Sequence, residues 1–79
     1  MYKRTLTVQS SLEARPAALF VQSASKFSCS IYVNVDDKTV NGKSIMGMIS
    51  LGILDGQTIT ISAEGEDEER AVEELTLLF

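Results

Sequence analysis

Ser30-Ile31-Tyr32-Val33-Asn34-Val35-Asp36-Asp37-Lys38-Thr39-Val40 decides the architecture of this chain. Ile31, Val33 and Val35 alternate with Ser30, Tyr32 and Asn34, the period of a strand with one buried face. Asp36-Asp37-Lys38 reads as a hairpin turn, and Thr39-Val40 begins a short return strand. Strands with one polar face suit an antiparallel sheet covered by helices on the other side only.

The flanks supply the remaining elements. Toward the N-terminus, Ala17, Phe20, Val21, Ala24 and Phe27 recur at helical spacing, so an amphipathic helix is expected over residues 14–27. Pro16 sits where a first helical turn accepts it. Residues 9–13 read as a loop, and before them Tyr2, Arg4, Leu6 and Val8 alternate with Lys3, Thr5 and Thr7 as a first strand. Toward the C-terminus, Asn41-Gly42 is a turn signal. Ser44 is an N-cap candidate for a short helix over residues 44–51 that breaks at Gly52. After a turn at Asp55-Gly56, Gln57 to Ala63 alternates with Ile59, Ile61 and Ala63 inward, and Gly65 ends that strand. A last helix is expected from Asp67 to Phe79, burying Ala71, Val72, Leu75, Leu78 and Phe79. Glu66, Asp67, Glu68 and Glu69 crowd its start, where the helix dipole favours negative charge, and Arg70 stands four residues after Glu66. The order is β-α-β-β-α-β-α, an α+β fold with a four-stranded antiparallel sheet and three helices on one face.

Composition restricts what such a chain does. Its 79 residues bound one small domain, residues 1–79. A domain this small is better suited to offering a surface than to enclosing a substrate, which weighs against a self-contained enzyme. With no histidine at all, phosphohistidine, histidine metal ligation and histidine base chemistry are excluded. The one cysteine, Cys29, forms neither an internal disulfide nor a cysteine metal cluster, and fits a reducing cytosol. Phe27-Ser28-Cys29-Ser30 offers no basic neighbourhood for a reactive thiol, so Cys29 reads as a small apolar filler. No apolar run is long enough for a signal peptide or membrane span, and a soluble, cytoplasmic protein is expected. The net charge of −4 is uneven: seven of the eleven acidic residues lie between Glu64 and Glu74, and no basic stripe for nucleic acid is present. Neither a metal nor a cofactor is expected.

Two segments hold the candidate functional residues. In Leu12-Glu13-Ala14-Arg15-Pro16-Ala17 a helix N-terminus presents free N–H groups and partial positive charge, and Arg15 adds a planar fork of donors suited to phosphate. Taken alone, Glu13 reads first as a favourable charge near a helix start. Ala18 and Leu19 lie off the core stripe, and Leu12 sits in the loop before them. In Ser44-Ile45-Met46-Gly47-Met48-Ile49-Ser50-Leu51 five large apolar residues occupy a helix that needs one apolar stripe, so either the helix is nearly all buried or at least one or two of them are exposed. Ser44 reads locally as a cap; as a phosphorylation site it would place negative charge at a helix N-terminus.

Ala14-Arg15-Pro16-Ala17 together with Lys43-Ser44-Ile45-Met46-Gly47, in this order and separation, resembles the HPr family of the bacterial sugar phosphotransferase system. The order of strands and helices agrees over essentially the whole chain, though the last helix looks a few residues short. The resemblance implies an HPr-like open-faced sandwich. It places Glu13 where the family has the histidine that takes a phosphoryl group from enzyme I and passes it to enzyme II components, with Arg15 matching the assisting arginine. It makes Ser44 the serine phosphorylated by HPr serine kinase/phosphorylase, after which the phosphoserine form binds a catabolite-control transcription factor. It makes Leu12, Ala14, Arg15, Ala18, Leu19, Ile45 and Met46 the docking surface. Ser11 also departs from the family, which usually has glycine there. A histidine-lacking variant type, catabolite repression HPr (Crh), keeps the serine, and this chain is similar in logic.

The resemblance therefore implies a non-catalytic regulatory module switched at Ser44 in carbon catabolite control. The alternatives are a phosphocarrier-type component that binds enzyme I or enzyme II with altered or no phosphoryl transfer, or a carrier using Glu13 as an acyl-phosphate site.

Overall fold

The computed structural model describes residues 1–8, 14–52 and 56–78, with side chains described for all of these but 14–16. Leu12, Glu13, the turn residue Asp55 and Phe79 lie outside the described residues. Those described form β1 (Tyr2–Thr7), α1 (Ala14–Ala24), β2 (Ser30–Val35), β3 (Lys38–Asn41), α2 (Ile45–Leu51), β4 (Thr58–Glu64) and α3 (Glu68–Thr76). The strands make one antiparallel sheet in the order β1-β4-β2-β3. The expected order of elements is observed.

Alternation explains the register. β2 and β4 pair Ile31 with Ala63, Val33 with Ile61 and Val35 with Ile59, so every inward residue of one strand faces an inward residue of the next. A slip of one residue would turn all six to water, which fixes the pairing strongly. Against them the helices bury Ala17, Phe20 and Ala24 of α1, Met48 and Leu51 of α2, and Ala71, Val72 and Leu75 of α3. The opposite face of the sheet is polar: Thr5 and Thr60 face each other with their hydroxyls 3.0 Å apart, and Asn34 bonds the Thr39 hydroxyl and the Lys38 carbonyl.

The β2–β3 turn has two residues, and its first, Asp36, takes φ 56°. An aspartate tolerates this left-handed conformation better than most residues. Gly42 is glycine for reasons of space: a Cβ there would stand 2.7 Å from Ile31 Cγ2 and 3.2 Å from Phe20.

Several local expectations are revised. α1 ends at Ala24, because the amides of Lys26 and Phe27 turn to the carbonyls of Ser23 and Ala24 three residues back. Phe27 is buried all the same, from the turn that follows. α3 begins at Glu68 and ends at Thr76, and Leu78, expected in the core, is exposed. Arg4 does not enter the core; it reaches the sheet's margin and pairs with Glu73 at 2.7 Å, beside the Tyr2 hydroxyl. The ion pairs among the described residues are this one and that of the Met1 ammonium with Glu68, and the expected Glu66–Arg70 pair is not among them.

Candidate functional site

The turn before α2 is tied down at every position. The Gly42 amide donates to the Ile31 carbonyl at 2.7 Å, the Lys43 amide to Asn41 Oδ1 at 2.8 Å, and the Ser44 amide to the Asn41 carbonyl at 3.1 Å. Ser44 then has extended backbone, and its Oγ accepts from the Gly47 amide at 3.2 Å while its carbonyl accepts from Met48. This is the N-cap expected of it, satisfying a donor that a helix start leaves orphaned. At the other end Gly52 takes φ 61° and its amide bonds the Ile49 carbonyl, which stops the helix.

α2 has two apolar faces. Met48 and Leu51 point into the core, whereas Ile45, Met46 and Ile49 point to solvent, with Met46 at 74% exposure and Ile49 at 45%. Spacing of one and four residues puts these three on one side of the helix. α1 packs on α2 and contributes Leu19, 51% exposed, and the half-buried Ala18. Single exposed apolar side chains are ordinary, but here four large ones stand on two adjacent helices.

Of the residues singled out in the sequence, Ser44, Ile45 and Met46 lie together at the start of α2, and Ala18 and Leu19 lie on the neighbouring α1. Ala14 and Arg15 open α1, but their side chains, with Leu12 and Glu13, are outside the described residues. Ile49 was not singled out, although its place four residues after Ile45 on a helix was the signal that would have found it.

Two charges beside this turn, those of Lys43 and Asp67, have fixed partners. The half-buried Lys43 donates its ammonium to the Phe27 carbonyl at 2.7 Å. The next two amides, Ser28 and Cys29, donate to the two carboxylate oxygens of Asp67, each at 3.1 Å. The Asp67 carboxyl is held below its usual range, first by the Cys29 thiol and then by these amides. Burial, followed by Asp67, pushes the Cys29 thiol up to about 11, so it is a protonated core residue and not a nucleophile at neutral pH. Among the described residues no pocket is formed, no group of side chains is arranged to hold a metal ion, and no helix is long and apolar enough to cross a membrane. The arrangement offers a surface with a capped serine at its edge.

Comparison with known proteins places this geometry. Residues 2–79 match the family described as PTS HPr component phosphorylation site. The chain is 53% identical to the HPr-like protein Crh of Halalkalibacterium halodurans over 86% of its own length and 81% of that protein. It is 47% identical to the HPr-like protein Crh of Bacillus subtilis over 92% of its length and 86% of that protein. The crystal structure of a phosphocarrier protein HPr from Bacillus anthracis superimposes with a TM-score of 0.92 at 48% identity, covering 98% of this chain and 94% of that one.

Proposed function

The chain belongs to the HPr family of the phosphotransferase system, and from that membership we propose that it is a regulatory member, a single HPr-like domain over residues 1–79 that works by docking and not by catalysis. The observation that carries this reading is the absence of any histidine from a family member that keeps the capped serine and the apolar helix face beside it. Glu13 occupies the carrier position in this reading, with Arg15 beside it. Ser44 is the switch, phosphorylated by HPr serine kinase/phosphorylase. Leu12, Ala14, Arg15, Ala18, Leu19, Ile45 and Met46 form the docking surface, to which Ile49 is added. The partner of the phosphorylated form is a catabolite-control transcription factor, with neither nucleic acid nor membrane touched directly. The protein acts in the cytoplasm without cofactor or metal.

Two incubations test this. With phosphoenolpyruvate and enzyme I, the intact protein is expected to take up no label. With ATP and the serine kinase it is expected to gain one phosphate, located at Ser44 by mass spectrometry and lost in Ser44→Ala. Label arriving from enzyme I would overturn the regulatory reading in favour of a carrier. Equal labelling of Ser44→Ala by the kinase would move the switch elsewhere. Capture of enzyme I without transfer, together with no modification by the kinase, would favour a phosphotransferase component that only binds.

A further inference from the structure

Lys43 and Asp67 reach the same peptide unit from opposite ends. The Lys43 ammonium donates to the Phe27 carbonyl at 2.7 Å, and the amide on the other side of that bond, Ser28 N–H, donates to Asp67 at 3.1 Å. A cation at the oxygen and an anion at the hydrogen polarise a peptide group in the same sense, so each bond strengthens the other. Asp67 also accepts from the Cys29 amide. The two side chains come from the turn before α2 and the cap position of α3, elements far apart in sequence. Their only shared partner in these bonds is the segment that leads into β2.

We propose that Lys43 and Asp67 are coupled through the Phe27–Ser28 peptide, and that this bridge carries the charge state of Ser44 to the start of α3, because a phosphate on Ser44 competes with the Phe27 carbonyl for the Lys43 ammonium. The inference rests on the reading of Ser44 as the phosphorylated residue. Its physics is a contest of acceptors. A neutral carbonyl offers one hydrogen bond, whereas a phosphoserine beside Lys43 in the chain offers about −1.5 to −2 charges and three acceptor oxygens. The lysine has a flexible four-carbon stem, which lets the ammonium turn from one acceptor toward the other. Once it leaves, the Phe27–Ser28 peptide loses its polarising cation, and the bonds from Ser28 and Cys29 to Asp67 weaken. Lys43 is thus a positioning residue whose effect is felt at α3.

The whole chain is short enough for chemical synthesis, which places serine or phosphoserine at position 44 without a kinase. The amide protons of Ser28 and Cys29 are then followed by NMR. Phosphoserine is expected to shift both toward weaker hydrogen bonding. The shift should develop with the second ionisation of the phosphate, near a pH of about 6, in step with the phosphorus resonance. The chain has no histidine to titrate there; Asp67 and Lys43 are the charges bonded to this segment, and the nearby Glu68 is paired with the Met1 ammonium. In Lys43→Met the two amides are expected to be displaced already and to ignore the phosphate. Unmoved Ser28 and Cys29 amides, or an equal phosphate shift in Lys43→Met, would overturn the bridge. If Lys43→Met does not fold, the coincidence of the two titrations in the unsubstituted chain decides the matter alone. Because no kinase is used, failure here and failure of Ser44 as a kinase substrate are separate results.

Discussion

At the scale of single residues, the interior among the described residues holds one group that titrates, Cys29, and it shapes how the protein responds to alkali. Cys29 is buried beneath the start of β2, and burial, followed by the Asp67 carboxylate, raises its thiol from 9.0 to about 11. A folded value above the unfolded one favours the folded state fully below the unfolded value. That contribution is lost as pH rises from about 9 through about 11, because the unfolded chain then releases the proton more readily. Urea midpoints measured from pH 7 to 10.5 should therefore fall more steeply for the protein than for Cys29→Ala, and parallel curves would show that the thiol is not desolvated as described. Asp67 works in the opposite direction. Its lowered carboxyl favours folding above the ordinary carboxylate range, and that contribution is lost as acid protonates it. Neither partner of these groups was legible in the sequence. Cys29 read as an apolar filler, and its burial bears this out, but nothing in Phe27-Ser28-Cys29-Ser30 announces a lysine sixteen residues later at the Phe27 carbonyl. Such contacts depend on how helices land on the sheet, which no local pattern encodes.

At the scale of elements, what could be read followed from period and punctuation. Ile31, Val33, Val35, Ile59, Ile61 and Ala63 are buried as their alternation requires, and Ser44 and Gly52 bound α2 as their capping chemistry requires. Helix ends were less legible: Phe27 and Leu78 both continue a helical apolar spacing, yet one is buried from a turn and the other is exposed past the end of α3. The candidate site is legible in its serine and in the surplus of apolar residues on α2. Which of them face out needed the structure, because a helix apolar on both sides has no polar stripe to orient it. Under the proposed function, the exposed face of Ile45, Met46 and Ile49 separates docking from stability. Ile49→Ser is expected to change stability by no more than about 0.5 kcal/mol, as surface substitutions do. It should slow phosphorylation of Ser44 by the kinase about five-fold or more, since truncating a central interface residue costs above about 1 kcal/mol of binding. Met48→Ala, on the buried side of the same helix, is expected to lose about 2–5 kcal/mol of stability. Urea unfolding with kinase kinetics on both variants checks the assignment, and an Ile49→Ser protein phosphorylated at the normal rate would remove Ile49 from the surface.

At the scale of the whole molecule, the four-stranded sheet commits one face to the helices and leaves the other largely polar, so the residues of the proposed docking surface lie on the helical side. A protein built this way exchanges functions by changing a few surface residues while its core stays as it is. The carrier reaction of the family needs a nucleophile, a neighbouring arginine and a face that enzyme I accepts. Arg15 is present, and so are Leu12, Ala14, Ala18, Leu19, Ile45 and Met46. What the chain lacks is the imidazole, whose nitrogen accepts phosphate near neutral pH far better than a carboxylate, the phosphorylated product of the latter being a reactive mixed anhydride. Glu13→His is therefore expected to take up label from phosphoenolpyruvate and enzyme I, whereas the natural sequence is expected to take up none. Ser11 stands where the family usually has glycine, the residue freest in its backbone angles. The double substitution Ser11→Gly with Glu13→His should consequently outperform the single one, with the label acid-labile and base-stable as a phosphoramidate is. A double variant that unfolds at the same urea concentration as the parent, yet accepts no label, would show that the face itself has diverged from the one enzyme I recognises. In that case the loss of the histidine followed, or accompanied, a change of partner, and the surface of α1 and α2 would have to be assigned to the regulatory partners alone.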